Sequence, residues 1–126
     1  MTPNEFERFA VRLAKNCSKR KFRKAVSTSL SACYRTAISR LYYGILHQVK
    51  GWLIKRGYTF KEREQGRIHL IVRNRLANLD IESAKFLKRL HELRKEADYE
   101  LDIPIGYYEW KKALWYAKIL KRRLGL

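Results

Sequence analysis

The sequence LSACYRTAISRLYYGILHQVKGWL, residues 30–53, carries the strongest secondary-structure signal in the chain. Its apolar side chains return every three or four residues, which is the spacing of one face of an α-helix. We therefore predict a long helix over about residues 28–56, ending before Gly57, which can adopt the left-handed conformation found after many helices. Gly44 and Gly51 lie inside this helix and allow a neighbouring helix to approach closely.

Similar periodicity on both sides of this helix predicts further helices and no strands. Further helices are expected over about residues 3–16, 65–77 and 107–124. A fourth is expected between Asp80 and Pro104, with an apolar stripe that runs from Phe86 to Leu101. Thr2 and Asp80 are candidate N-caps, and Pro104 ends the fourth helix. The run over residues 19–24 is expected to be a loop or a frayed helix start. The sequence thus predicts a single domain, residues 1–126, folded as an all-α up-and-down bundle of four to five helices.

Composition narrows the class of protein. The chain has 126 residues, and its 29 Lys and Arg against 12 Asp and Glu give a formal net charge of +17. A hydrophobic content of 46% is enough for a core, and no apolar run approaches the ~18 residues of a transmembrane helix. The N-terminal residues carry charges where a signal peptide is apolar. We expect a compact cytoplasmic domain with no membrane association.

Cys17 and Cys33 are the only cysteines. Neither belongs to a CxxC pair or lies near a second ligand cluster, and two cysteines make neither a zinc site nor a disulfide framework. Free cysteines are among the most buried residues in proteins. We therefore expect both to be small, buried and reduced side chains in an intracellular protein.

Positive charge is concentrated in the first half of the chain. Residues 1–56 hold 13 Lys and Arg, and their only acids are Glu5 and Glu7. Such a field attracts polyanions, whose counterions are released on binding. The alternative is a solvated surface kept soluble by its charge. The densest part, here named the basic segment, comprises Lys19, Arg20, Lys21, Arg23 and Lys24.

One side of the long predicted helix carries cationic and aromatic residues. Arg40, Tyr43, His47 and Lys50 repeat at intervals of three, four and three residues, away from the apolar seam. An aromatic ring among cations suits base stacking and phosphate contact with single-stranded nucleic acid. The same residues equally suit packing against another subunit.

Residues 91–102 contain five of the twelve acids in an otherwise basic chain. A rotation of about 100° per residue places His91, Arg94 and Asp98 on one strip beside the buried face, and places Tyr99 toward the back of the helix. One interpretation is an i,i+4 ion pair worth roughly a few tenths of a kcal/mol on a solvated helix. The other is a guanidinium held by a carboxylate so that it binds phosphate in a bidentate manner.

The common catalytic and metal-binding motifs are missing from the sequence. It contains no glycine-rich phosphate loop and no GxSxG, HExxH or EF-hand pattern. The three histidines, His47, His69 and His91, fall on three different predicted helices, and their spacing matches no usual set of metal ligands. We therefore expect no metal and no cofactor.

Three segments of the chain are informative together. They are SRLYYGILHQVKGWL at 39–53, GRIHLIVRNRL at 66–76 and LRKEADYELD at 93–102, followed by a last helix rich in Tyr, Ala and Leu. The third contains an Arg-x-x-Ala-Asp-Tyr motif. Over about residues 28–124, the chain resembles the HEPN domains of prokaryotes, and most closely the subgroup with this motif. The resemblance implies a helical bundle that forms homodimers and operates beside a minimal nucleotidyltransferase in toxin–antitoxin-like pairs.

The resemblance also implies roles for individual residues. Many HEPN proteins are metal-independent endoribonucleases, in which an arginine orients phosphate and a histidine four to six residues later acts on the ribose 2′-hydroxyl. Arg94, paired with Asp98, corresponds to that arginine. Tyr99 stands where the histidine is expected, and a phenol is a poor base at neutral pH. His91, one turn before Arg94, is a candidate replacement base, and the Tyr99 hydroxyl is a candidate acceptor of a nucleotidyl group from the partner enzyme.

The leading hypothesis is a dimeric HEPN-type protein that binds RNA or a nucleotide through Arg94 and the basic surface. It would be the toxin-like partner of a nucleotidyltransferase, with ribonuclease activity left open. One alternative is a dimeric module that docks the nucleotidyltransferase and has no activity of its own. Another is a nonspecific nucleic-acid-binding protein that depends on the basic segment and not on Arg94.

Overall fold

The structure is a computed structural model that describes residues 1–26 and 28–126. Within these residues the chain is all-α and contains no strand, which confirms the predicted fold class. The described residues form six α-helices and a 3-10 helix, Glu62–Arg67. The α-helices are α1 (Pro3–Cys17), α2 (Arg20–Ala25), α3 (Leu30–Ile54), α4 (Ile68–Leu79), α5 (Ile81–Tyr99) and α6 (Tyr107–Leu124). None of the helices in the described residues is both long enough and apolar enough to cross a membrane.

The long helix α3 is the central element of the bundle. It packs against α1, α4, α5 and α6, so apolar residues cover most of its circumference. Its largest fully buried side chains are Tyr42, Ile38, Leu41, Ile45, Leu46 and Leu53. The part of α3 that these neighbours leave uncovered is therefore narrow.

Helix α1 approaches α3 closely at Gly44. A Cβ atom added at Gly44 would lie 2.9 Å from the Glu7 nitrogen and 3.0 Å from the Pro3 carbonyl oxygen, both backbone atoms of α1. A Cβ atom added at Gly51 would meet nothing within 4 Å. Of the two glycines inside α3, only Gly44 is therefore required by the packing of the helices.

The helix ends depend on local hydrogen bonds. The Glu5 N–H donates to the Thr2 hydroxyl, 3.2 Å, and the Thr2 N–H donates to the Glu5 carboxylate, which confirms Thr2 as the cap of α1. Gly57 follows α3 with a φ of 96°, a conformation that favours glycine. Asp80 occupies the N-cap position of α5 but makes no cap hydrogen bond there, because its carboxylate accepts from the Ser83 hydroxyl, 2.6 Å, and from the Arg123 side chain, 2.8 Å.

The basic segment forms the short helix α2, and not the loop or frayed helix start predicted for it. Lysine and arginine have good intrinsic helix propensity. Phe22 packs against the core and anchors the segment, and the Arg23 guanidinium donates to the Cys17 carbonyl at the end of α1, 2.8 Å. These tertiary contacts hold a helix that its like charges oppose.

The expectation that both cysteines are reduced is wrong. Cys17 and Cys33 are buried, as predicted, but a disulfide bond joins them. Cys17 ends α1 and Cys33 lies in the first turn of α3, and their Cα atoms are 5.6 Å apart, within the usual range for a disulfide. The two residues are 16 positions apart in sequence, so only the return of the chain through α2 makes them neighbours. Disulfides are rare in the reducing cytoplasm, so this bond gives no support to the expected compartment.

Candidate functional site

The Arg94 side chain forms the centre of the candidate site. It extends from the C-terminal half of α5, and only 11% of it is exposed. Its Nε lies 2.8 Å from Oδ2 of Asp98, which confirms the predicted ion pair, although the N–H makes no directed hydrogen bond. Its Nη2 donates to the hydroxyls of Tyr43 and, at 3.4 Å, Tyr99. Among the described residues Nη1 has no acceptor, so the guanidinium retains a donor for an anion.

The Asp98 carboxylate is held in place by α3. The Ser39 hydroxyl donates to Oδ2 of Asp98, 3.1 Å, and Ser39 is itself buried. A carboxylate fixed from a second helix in turn orients the guanidinium of Arg94, as at many anion-binding arginines. Sequence reasoning gave Ser39 no role. Its only signal is a hydroxyl within an otherwise apolar face of the helix.

Two tyrosine rings lie against the Arg94 guanidinium. The Cζ atom of Arg94 is 5.0 Å from the ring centre of Tyr43 and 5.3 Å from that of Tyr99, distances typical of cation–π contacts. Arg40, also predicted as a binding residue, places its Cζ 5.7 Å from the Tyr43 ring. Tyr99 points away from the buried face, as its position predicts, and is 68% exposed. Its long side chain nevertheless brings the hydroxyl back to Arg94.

A stack of three rings lies next to this group. The ring centres of His69 and His91 are 4.9 Å apart and the two rings are nearly parallel. The ring centre of Tyr42 lies 5.1 Å from that of His91. The Tyr42 hydroxyl is 2.7 Å from Nδ1 of His69. Tyr43 connects the stack to Arg94, because its ring also lies 6.0 Å from that of His69. The sequence selected His91 for the site but not Tyr42 or His69, whose proximity depends on the packing of α3, α4 and α5.

Burial keeps the rings of this stack uncharged at neutral pH. The pKa of His91 is lowered to about 4, mainly by burial and also by His69 and nearby Arg and Lys side chains. The pKa of His69 is lowered by burial and by Arg94, and burial raises the pKa of Tyr42. The Tyr42 hydroxyl can then donate to an unprotonated Nδ1 of His69, which leaves the proton on Nε2. Uncharged imidazoles beside a guanidinium can accept a proton from a bound ligand.

Arg35, which sequence reasoning did not select, fixes the end of α5. Its Nη1 donates to the carbonyls of Glu96, Ala97 and Glu100 at 3.0–3.2 Å, and its Nη2 donates to those of Leu101 and Ile103. The last carbonyls of a helix have no partner within the helix, and a cation there also interacts favourably with the helix dipole. Arg35 thereby ends α5 at Tyr99. Leu101, assigned by its spacing to the buried stripe, lies beyond the helix and is exposed.

The other predicted nucleic-acid-binding residues fall in two places. His47 lies on α3 and lines a cleft with Pro3 and Lys50, and burial together with Lys50 lowers its pKa. The basic segment lies on α2, where Lys19, Arg20, Lys21 and Lys24 are exposed. Arg23 is partly buried by its bond to the Cys17 carbonyl. In the described residues no hydrogen bond or ring contact joins the basic segment to the Arg94 group.

The arrangement is chemically suited to binding an anion and moving a proton. It contains a guanidinium held by a carboxylate, uncharged imidazoles and an exposed phenol. Across residues 1–26 and 28–126, no three His, Cys, Asp or Glu side chains converge to hold a metal ion. Comparison of the chain with models of protein families, with curated proteins and with solved structures finds no match.

Proposed function

We propose that the chain is a HEPN-type protein that binds RNA phosphate at Arg94 and cleaves the strand without a metal ion. The observation that carries this proposal is the placement of a positioned guanidinium, Arg94, beside two uncharged imidazoles, His69 and His91. Phosphate binds arginine in a bidentate manner, and an uncharged imidazole can act as a general base. The sequence resemblance to HEPN domains also supports a homodimer that works beside a minimal nucleotidyltransferase.

The proposed reaction needs three roles from the protein. The ribose 2′-hydroxyl attacks the adjacent phosphorus and loses its proton to a base, while the bond to the 5′-oxygen breaks and that oxygen gains a proton. Arg94 stabilises the negative charge on the phosphoryl oxygens. His91 accepts the proton, because the Nδ1 of His69 already accepts from Tyr42, and the exposed Tyr99 hydroxyl beside Arg94 is the donor to the leaving oxygen.

A cleavage assay in EDTA tests this function. Wild-type protein is expected to cleave single-stranded RNA, and Arg94→Ala is expected to lose about two orders of magnitude or more, the usual effect of removing a charge-stabilising donor. Arg89→Ala is the matched control, because Arg89 is an exposed arginine on the same helix. Thermal melting must show that both variants fold. Equal cleavage by wild type and folded Arg94→Ala would reject the proposal.

Separate substitutions assign the base. His91→Asn and His69→Asn remove one imidazole each, and the variant that loses cleavage while it retains RNA affinity identifies the proton acceptor. If the basic segment alone binds RNA, neutralising its five cations reduces the salt dependence of binding, and Arg94→Ala leaves that dependence unchanged. The two outcomes distinguish a specific site from nonspecific attraction.

The exposure of Tyr99 favours a second candidate function. Its hydroxyl is accessible and lies next to the Nη2 of Arg94, a position from which it can attack the α-phosphorus of a nucleoside triphosphate held by a nucleotidyltransferase. An O–P bond forms, pyrophosphate leaves and the phenol proton passes to a base. In this case the chain is a binding module and a substrate of its partner, and needs no catalysis of its own.

Mass spectrometry tests the second candidate. The protein is incubated with the nucleotidyltransferase and ATP, and the expected result is a nucleotidyl adduct on the peptide that contains Tyr99. Tyr99→Phe is expected to abolish the adduct, whereas Tyr108→Phe, at an equally exposed tyrosine, should leave it unchanged. An unmodified Tyr99 under these conditions would contradict this role.

A further inference from the structure

The exposed side of α3 forms a continuous surface that extends away from Arg94. Arg40, Tyr43, His47 and Lys50 are each partly exposed on this side, between α1 and the helices that carry the histidine stack. Arg40 contacts the ring of Tyr43, and His47 and Lys50 line one cleft of about 350 Å³ beside the start of α1. His47 is also close enough to His69 to lower its pKa. We name these four residues the α3 strip.

The two charged residues of the α3 strip, Arg40 and Lys50, are both positive. No acid occurs between residues 8 and 61, so α3 itself carries none. The acids that flank it are already paired: Glu7 accepts from Lys121 at 2.7 Å, and Asp98 pairs with Arg94. A strip that presents Arg40 and Lys50 without an opposing carboxylate complements a phosphate backbone.

The spacing of the α3 strip matches a short single strand. Arg40 and Lys50 are ten residues apart, which is about 15 Å along a helix, and about four nucleotides at ~3.4 Å per nucleotide of a stacked strand. Tyr43 and His47 lie between the two cations and offer ring faces. Bases in a duplex are paired and stacked on each other, so only an unpaired strand can use such rings.

We propose that the α3 strip is a binding track of about four nucleotides that delivers single-stranded RNA to Arg94. This inference rests on the proposed function, because it names the kind of RNA that the Arg94 site receives. The phosphates contact Arg40 and Lys50, the bases stack on Tyr43 and His47, and the strand ends at the guanidinium. Mononucleotides and duplexes are then poor ligands.

Competition binding against labelled oligouridine tests the track. The competitors are 2′-O-methyl oligouridines of one, two, four and eight nucleotides, which resist cleavage by 2′-hydroxyl attack. Stacking of a second base predicts that affinity rises about fivefold or more from one nucleotide to four, and it should change little from four to eight. A duplex of the same length should compete poorly.

Two variants and a control locate the contact. Lys50→Gln should weaken tetranucleotide binding and lower its salt-dependence slope by about one, the effect of losing one phosphate contact, while mononucleotide binding stays within about twofold. Arg40→Gln should weaken tetranucleotide binding similarly. Lys118→Gln, an exposed lysine on α6, makes the same charge change and should leave both ligands unaffected.

The outcomes separate this inference from the proposed function. Equal affinity for one and four nucleotides, with binding still abolished by Arg94→Ala, overturns the track and leaves the Arg94 site standing. Length-dependent binding that is insensitive to Arg94→Ala overturns both. If Lys50→Gln and Arg40→Gln leave RNA affinity unchanged but convert a dimer to a monomer in analytical ultracentrifugation, the α3 strip is an interface between copies and the track is wrong.

Discussion

Replacing Gly44 by alanine tests the close approach of α1 to α3. The added Cβ would lie 2.9 Å and 3.0 Å from backbone atoms of Glu7 and Pro3, and 3.2 Å from the Cβ of Phe6. Backbone atoms cannot rotate out of the way as the end of a side chain can. We therefore expect α1 to be displaced from α3, and not only a local change of rotamer.

Two opposing effects determine how much Gly44→Ala changes the free energy of unfolding. Alanine in place of glycine inside a helix contributes about 1 kcal/mol through helix propensity, whereas overpacking costs about 1–3 kcal/mol. Contacts with backbone atoms place Gly44→Ala near the upper end of the overpacking range, so the net loss is about 2 kcal/mol. For 126 residues, 1 kcal/mol corresponds to about 4 °C in Tm, so the melting temperature should fall by about 8 °C.

Gly51→Ala is the matched control in the same helix. Its added Cβ meets nothing within 4 Å, so only the propensity gain remains, and Tm should rise by about 2–4 °C. Circular dichroism melts of the two variants under identical conditions measure the difference. Hydrogen exchange should show loss of protection in α1 for Gly44→Ala alone. A Gly44→Ala variant that melts at or above Gly51→Ala would refute the packing argument.

Three further predictions concern Arg35, His91 and the disulfide. Arg35→Met should lower the free energy of unfolding by about 2–3 kcal/mol, because two half-buried carbonyls lose a charged donor, and amide exchange near the end of α5 should accelerate. Arg12→Met, at an exposed arginine of α1, is the control and should change Tm by less than about 2 °C. An equal effect of the two substitutions would contradict the role of Arg35 at the end of α5. The folded-state pKa of His91 is about 4, below the unfolded value of about 6.5, so the unfolded chain binds more protons between these pH values. The free energy of unfolding, measured with urea, should therefore fall from about pH 6.5 to about pH 4. If His91→Gln leaves this dependence on pH unchanged, the prediction is wrong. Reduction of the bond between Cys17 and Cys33 should lower the free energy of unfolding by about 3 kcal/mol, the value for a closed loop of this size. A variant with both cysteines replaced by alanine should melt at the same temperature with and without reductant. Detection of two free thiols in unreduced denatured protein would contradict the disulfide.

The helical bundle could be predicted from the sequence because apolar periodicity is a local property. The last helix is predicted over 107–124 and found over Tyr107–Leu124, and the first differs by one residue at its end. The pattern is less informative where a tertiary contact sets the boundary. Phe22 and its contact with the core make α2 helical, and Arg35 ends α5 before the apolar pattern does.

The sequence predicts members of the candidate site on separate helices, Arg40 and Tyr43 on α3 and Arg94 on α5, but not that the two helices bring them together. The ion pair of Arg94 and Asp98 follows from their spacing of four residues, and His91 follows from its position one turn earlier. The His69 ring centre lies 4.9 Å from that of His91, but His69 is on α4, and no spacing within α5 indicates it. The disulfide was missed for the same reason, because the approach of α1 to the start of α3 depends on how the chain returns through α2.

The contacts between α3 and α5 have a consequence for how the site can be inherited or transplanted. Arg35, Ser39 and Tyr43 follow one another along α3 at intervals of four residues. They form hydrogen bonds with three sites that follow in reverse order along α5: Arg35 with the terminal carbonyls, Ser39 with Asp98 and Tyr43 with Arg94. Sliding α5 by a single turn along α3 would break all three attachments at once. The segment LRKEADYELD is therefore not a portable module. Grafted onto another helical scaffold without its three counterparts, it would keep its charges and lose their geometry.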